Sequence, residues 1–263
     1  MRIVSFLALL AAAAVAFGQT PPSFNDLVRG SGFIFQGTVK AIGEATPSVA
    51  RQPNTAVVIV DRVIEALPPV TNLKPREVTV RLRDPGKIKA GYAATFFTYV
   101  YSAGETLGLE EVGTLPVEDA EVLSRRVHEA RQALADEALS KRLATAQFVI
   151  LGALEPAADS KAAAREPVSE HDPMWRAMPI RAELFEKGAK TKEPPVVYVA
   201  TSTDVVWGRA PKPKPGETGI FLLQPSPGAD HWSGLSGLFL VDPLDALPRS
   251  ELERVRRLLK AQR

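Results

Sequence analysis

The sequence predicts a mainly β protein built as two tandem five-stranded barrels, each followed by an α-helix. Three observations lead there. Short runs rich in Val, Ile, Phe, Thr and Tyr are punctuated by Gly and Pro clusters, a helical period follows each set of runs, and the same landmarks occur twice in the same order. Phe33-Ile34-Phe35-Gln36-Gly37-Thr38-Val39 and Phe148-Val149-Ile150-Leu151-Gly152-Ala153-Leu154 carry Phe and Gly in identical places, at an offset of 115 (148 − 33). Val63-Ile64-Glu65 matches Leu184-Phe185-Glu186, and Pro75 with Val78-Thr79-Val80 matches Pro194 with Val197-Tyr198-Val199. Lys87, Lys89, Gly91 and Phe96 match Lys212, Lys214, Gly216 and Phe221 at 125 (212 − 87), and Leu115-Pro116 matches Leu247-Pro248 at 132 (247 − 115). An offset that drifts in small steps is what loop insertions produce in a repeat.

In the first unit the strands are expected over 33–42, 56–66, 77–82, 93–101 and 107–113, separated by Pro68-Pro69, Asp84-Pro85-Gly86 and Ala103-Gly104. A helix over 118–144 follows, because Leu123, Val127, Ala130 and Leu134 recur at helical spacing and Glu118 and Asp119 complement its dipole. The second unit gives strands over 147–154, 178–186, 196–206, 218–224 and 235–241. Its closing helix carries an apolar face of Leu252, Val255, Leu258 and Leu259, with Ser250 and Glu253 in capping-box spacing. The longest loops, 43–55 and 155–177, fall between the first and second strands of their units, and loops of that length are uncommon unless functional. The glycine inside the first strand of each unit permits the bend that a barrel corner needs.

Met1-Arg2, an apolar run from Ile3 to Phe17 and small residues at Ala16 and Gly18 predict a secretory leader cleaved between Gly18 and Gln19. The run is shorter than the roughly 20 residues that span a bilayer. The expected organisation is therefore a leader (1–18), a first barrel with its linking helix (19–145) and a second barrel with a C-terminal helix (146–263), exported to the periplasm or the medium. No membrane span is expected in the mature chain. The absence of cysteine excludes disulfides, thiolate metal sites and a thiol nucleophile. A formal net charge of +2, from 32 Lys+Arg and 30 Asp+Glu, argues against nucleic-acid binding by bulk electrostatics.

The runs SGFIFQGTVKAIG, VVIVDRVIEAL, EVTVRL and KIKAGYAATFF resemble secreted bacterial OB-like modules related to the netrin-like domain of tissue inhibitors of metalloproteinases. The resemblance covers both units, over about 33–117 and 146–245, and implies OB-like barrels. The animal inhibitors chelate the protease metal through an N-terminal cysteine. This chain has none, so the resemblance transfers neither that mechanism nor any functional residue.

Chemistry-bearing motifs are scarce. The sequence has no phosphate-binding Gly-Lys-Ser/Thr loop, dinucleotide fingerprint, His-Glu-x-x-His helix or Gly-x-Ser-x-Gly elbow, and no cofactor is expected. His128 lies on a charged helix face among Arg125, Arg126, Glu129 and Arg131 and reads as solvated. His171-Asp172 and Asp230-His231 each set a carboxylate beside an imidazole, the chemistry of a general base or of a zinc or hard-cation site. Neighbours in an extended chain point in different directions and need not cooperate. Trp175 and Trp232, close to these pairs, either line a pocket or cover the barrel mouth. Lys87 and Lys89, repeated as Lys212 and Lys214, form basic loops that either touch an anionic polymer or keep a turn soluble. Two functions stand: an exported, non-catalytic tandem module binding a protein or a cell-envelope polymer, and a periplasmic metal-dependent hydrolase using His171, Asp172, Asp230 and His231. The first is the expectation adopted.

Overall fold

The structure, a computed structural model, describes residues 22–156, 170–225 and 237–263. The expected leader, and with it Asp230, His231 and Trp232, lie outside the described residues. The chain divides into two compact units at Arg131/Gln132, inside a helix that runs over Ala120–Thr145.

The first unit opens with α1 (Phe24–Arg29), a helix the strand-based reading missed. Ser23 and Asp26 form a reciprocal capping box, Ser23 Oγ accepting from the Asp26 N–H and Asp26 Oδ2 accepting from the Ser23 N–H, each at 3.2 Å. Five strands follow: β1 (Phe33–Ile42), β2 (Thr55–Ala66), β3 (Glu77–Arg81), β4 (Ala93–Ala103) and β5 (Leu107–Leu115). They close into a barrel in the order β1-β2-β3-β5-β4, antiparallel except where β3 runs parallel to β5. Phe33, Phe35, Val39, Val58, Val78, Val80, Phe96 and Leu109 fill it, with Phe35 stacked on Phe96 at 5.2 Å. Gly37 is required, since a Cβ there would come within 2.5 Å of the Ile59 carbonyl. The helix over Ala120–Thr145, α2, buries Leu123, Val127 and Ala130 in this unit, and Arg131 bonds Glu65 and the Ser31 carbonyl.

The second unit repeats the plan. Strands β6 (Phe148–Leu154), β7 (Trp175–Lys187), β8 (Val196–Ala200), β9 (Thr218–Pro225) and β10 (Leu238–Leu240) close as β6-β7-β8-β10-β9, again with one parallel pair, β8 with β10. Ile150, Ile180, Val197, Phe221, Leu223 and Leu240 lie in one core cluster. Val149 and Leu151 alternate with them and pack under Leu139 and Leu143 of α2 and Val255, Leu258 and Leu259 of α3 (Leu252–Ala261). The outer face of β6 is thus also covered, which explains its unbroken apolar run. Both expected barrels, each with a helix after it, are present, and their strand order is that of an OB-like barrel.

Registers carry the repeat to single residues. Irregularities in β1 between Ile34/Phe35 and Gln36/Gly37 recur in β6 between Val149/Ile150 and Leu151/Gly152. Phe35 faces Phe96 as Ile150 faces Phe221. Gly91 (φ +82°) and Gly216 (φ +85°), both left-handed, donate to the carbonyls of Val39 and Leu154. Leu115 pairs with Thr95 as Leu247 of β11 (Ala246–Leu247) pairs with Ile220, so β10 and β11 together answer to β5.

Three expectations need correction. In the second strands the register aligns Val63 with Phe185, not with Leu184, because Phe35 faces Val63 whereas Ile150 faces Phe185. One residue of slip changes the face: Phe185 packs on the core and Leu184 is exposed. The strand expected to reach Val206 stops at Ala200, since Ser202 Oγ accepts from the Asp204 N–H and Asp204 Oδ1 from the Val206 N–H, which turns the chain. Finally, the Ser250/Glu253 box does not form: a 3-10 turn over Arg249–Glu251 leads into α3, whose N-cap Glu251 makes no side-chain capping bond.

Candidate binding surface of the second unit

The turn that replaces the end of β8 organises a surface. The N–H groups of Thr201 and Ser202 both donate to the Pro173 carbonyl, at 3.0 and 3.1 Å, and Thr201 Oγ1 donates to Met174 O at 2.6 Å. Met174 itself holds a left-handed φ of +51° and donates its N–H to Asp172 Oδ1 at 2.9 Å. These bonds clamp 172–174 onto 201–204. The underside is an aromatic cluster in which Trp175 packs edge-on against Trp207 at 5.3 Å and Phe239 at 4.9 Å, and Phe239 stacks on Tyr198 at 5.2 Å. Trp175 is a buried member of that cluster. Outside it, Met174, Val205 and Val206 stand exposed, Val205 at 86 %.

His171 joins the same turn by a route that its sequence neighbours do not show. Its Nδ1 lies 3.1 Å from Asp204 Oδ2 and its Nε2 3.5 Å from Glu170 Oε1, and its main-chain carbonyl accepts from Trp207 Nε1 at 2.7 Å. The Val206 N–H, aided by His171, holds the Asp204 carboxyl below the usual carboxylate range. Asp172 spends Oδ1 on the Met174 N–H. No group of three or more His, Asp or Glu side chains that could hold a metal occurs among the described residues, and no helix among them is long and apolar enough to cross a membrane.

Beside this turn runs Pro211-Lys212-Pro213-Lys214-Pro215. Lys212 Nζ donates to Trp207 O at 2.8 Å, which fastens the segment to the aromatic cluster. Arg176, Lys212 and Lys214 line a pocket of about 180 Å³ together with Met178, Val199 and Ala200. Lys212 also lines an adjoining recess of about 310 Å³ with Arg209, Pro211, Pro243 and Glu217. The Glu217 carboxylate accepts from the Lys214 N–H at 2.9 Å.

The first unit provides a control. Its Lys87 pairs with Asp84 at 2.9 Å, a hydrogen bond that raises the lysine pKa and lowers that of the carboxyl. Lys89 is exposed. At the offset that relates the two loops, Asp84 corresponds to Arg209, so the first loop is compensated where the second adds a cation. Sequence reading found the lysines but missed Asp204, Trp207, Arg176 and Arg209. The Asp-to-Arg exchange within the repeated loop was the signal for the last of these. No protein-family model matches the chain, and no curated protein matches it.

Proposed function

We propose that this chain is an exported, non-catalytic binding protein whose second barrel takes a protein or a cell-envelope polymer. One observation carries the reading: exposed Met174, Val205 and Val206 are clamped in a fixed turn beside Arg176, Arg209 and Lys214, which have no carboxylate partner among the described residues. Apolar tips on a preorganised turn, next to cations without a carboxylate partner among the described residues, suit recognition, because little ordering entropy is lost on binding. The hydrogen bonds of Asp172 to Met174 and of Asp204 to Val206 hold loop geometry in place. Export rests on the Met1-Arg2 start, the apolar run to Phe17 and the small residues at Ala16 and Gly18.

The test is native mass spectrometry with metal analysis on protein purified, without chelator, from its own exported fraction. The reading expects a retained non-metal ligand or partner that the Val205→Asp, Val206→Asp variant loses while keeping its circular dichroism spectrum. Stoichiometric metal, with a hydrolytic activity lost in His171→Ala, overturns it.

A further inference from the structure

Resting on that reading of the second barrel, we infer that its cationic flank binds phosphate, taking two neighbouring phosphate groups of one ligand in the pocket and the recess. From Val205 to Gly216 the chain carries Arg209, Lys212 and Lys214 and no acidic residue. Arg176 of β7, Lys212 and Lys214 line one pocket of about 180 Å³, with the Lys212 ammonium also donating to Trp207 O. A carboxylate entering it would neutralise one of them. A phosphate monoester brings a charge of about −1.5 to −2 and three acceptor oxygens, which matches one guanidinium fork and two ammonium groups.

The second group follows from Lys212, which lines both pocket and recess. The recess is lined by Arg209, Lys212 and one carboxylate, Glu217, which accepts from the Lys214 N–H. Pocket and recess together hold four cations, Arg176, Arg209, Lys212 and Lys214, against one carboxylate, Glu217, with Lys212 shared between them, a surplus of positive charge suited to two linked phosphate groups. Preorganisation supports the assignment. Pro211, Pro213 and Pro215 fix alternate φ angles along the segment, and the bond from Lys212 to Trp207 O anchors its middle. The homologous loop of the first barrel keeps the same left-handed glycine but pairs Lys87 with Asp84, so it does not share the site.

The experiment titrates the whole chain with inorganic phosphate and with tripolyphosphate, followed by calorimetry and phosphorus NMR. Both bind, tripolyphosphate more tightly. Arg176→Ala with Lys214→Ala weakens both by about tenfold or more, the loss expected when charge-assisted bonds are removed. Arg209→Ala weakens tripolyphosphate alone, and Lys87→Ala with Lys89→Ala changes neither. Should the alanine pair alter the circular dichroism spectrum, Arg176→Gln with Lys214→Gln takes its place. Absence of binding, or binding indifferent to Arg176 and Lys214, overturns the inference; equal affinity for the two probes overturns its two-group part. Were phosphate not to bind while a native ligand is still lost in the Val205→Asp, Val206→Asp variant, the phosphate inference alone would fall. Were that ligand absent too, the binding-surface reading would fall with it.

Discussion

Replacing Arg142 by alanine strips a fully buried carboxylate of its counter-ion. Asp245 has no exposed surface and accepts two hydrogen bonds from Arg142, from Nε at 2.8 Å and from Nη2 at 2.6 Å. It also accepts from the N–H groups of Val241 and Asp242, each at 2.8 Å, and from Gln224 Nε2 at 3.4 Å. Breaking one side of a buried ion pair costs about 3–5 kcal/mol, because the remaining charge keeps its desolvation penalty. The two main-chain donors and Gln224 stay with Asp245, so the lower end applies, about 3 kcal/mol. For a unit the size of Gln132–Arg263, 1 kcal/mol moves Tm by roughly 4 °C, giving a fall of about 12 °C in the transition of the second unit. Scanning calorimetry and urea unfolding measure it, and Asp245→Asn completes a double-mutant cycle. The side effect is local: the Val241–Asp245 turn between β10 and β11 is held by this carboxylate. A loss under about 1 kcal/mol would refute the argument that the charge is desolvated and paired.

Other expectations follow from the packing and electrostatics of the two units. Gly37→Ala and Gly152→Ala should each cost about 1–3 kcal/mol by overpacking, since the added Cβ meets a carbonyl oxygen of the neighbouring strand at 2.5 Å in both cases; denaturant midpoints measure it. Met174→Gly should gain up to about 1 kcal/mol by relieving its left-handed backbone, read as a rise in Tm. Hydrogen bonding from Arg257, joined by Arg254 and opposed by partial burial, holds the Asp136 carboxyl below its ordinary 3.8. A depressed folded-state pKa adds stability above the unfolded value that is lost as pH falls through the folded one. Asp136→Asn should therefore be less stable than the parent at pH 7, and the gap should close progressively below about pH 3.8 in pH-dependent unfolding.

Much of the architecture was legible because β-strand period, Gly/Pro punctuation and a repeated order of landmarks all point to the same fold. Gly37 and Gly152 mark the same bulge, and Lys87/Lys89 and Lys212/Lys214 the same loop. Short elements escaped. The capping box of Ser23 and Asp26 was readable, but α1 is six residues long and offers little periodicity. Val205 and Val206 look like strand residues because β-branched side chains favour strands, while Ser202 and Asp204 turn the backbone there through their own hydrogen bonds. The site was legible only in part. His171 meets Asp204, distant in sequence, and Arg176 shares a pocket with a lysine segment that follows β8, a juxtaposition that sequence spacing does not show.

The central claim, that the second barrel carries the binding surface, is tested most directly by hydrogen exchange on protein isolated from its exported fraction, before and after bound material is stripped. The account predicts that residues 174–176 and 203–210 lose protection on stripping while Lys87–Tyr92 of the first unit does not change. Unchanged exchange in the second barrel, or a change confined to the first, contradicts it.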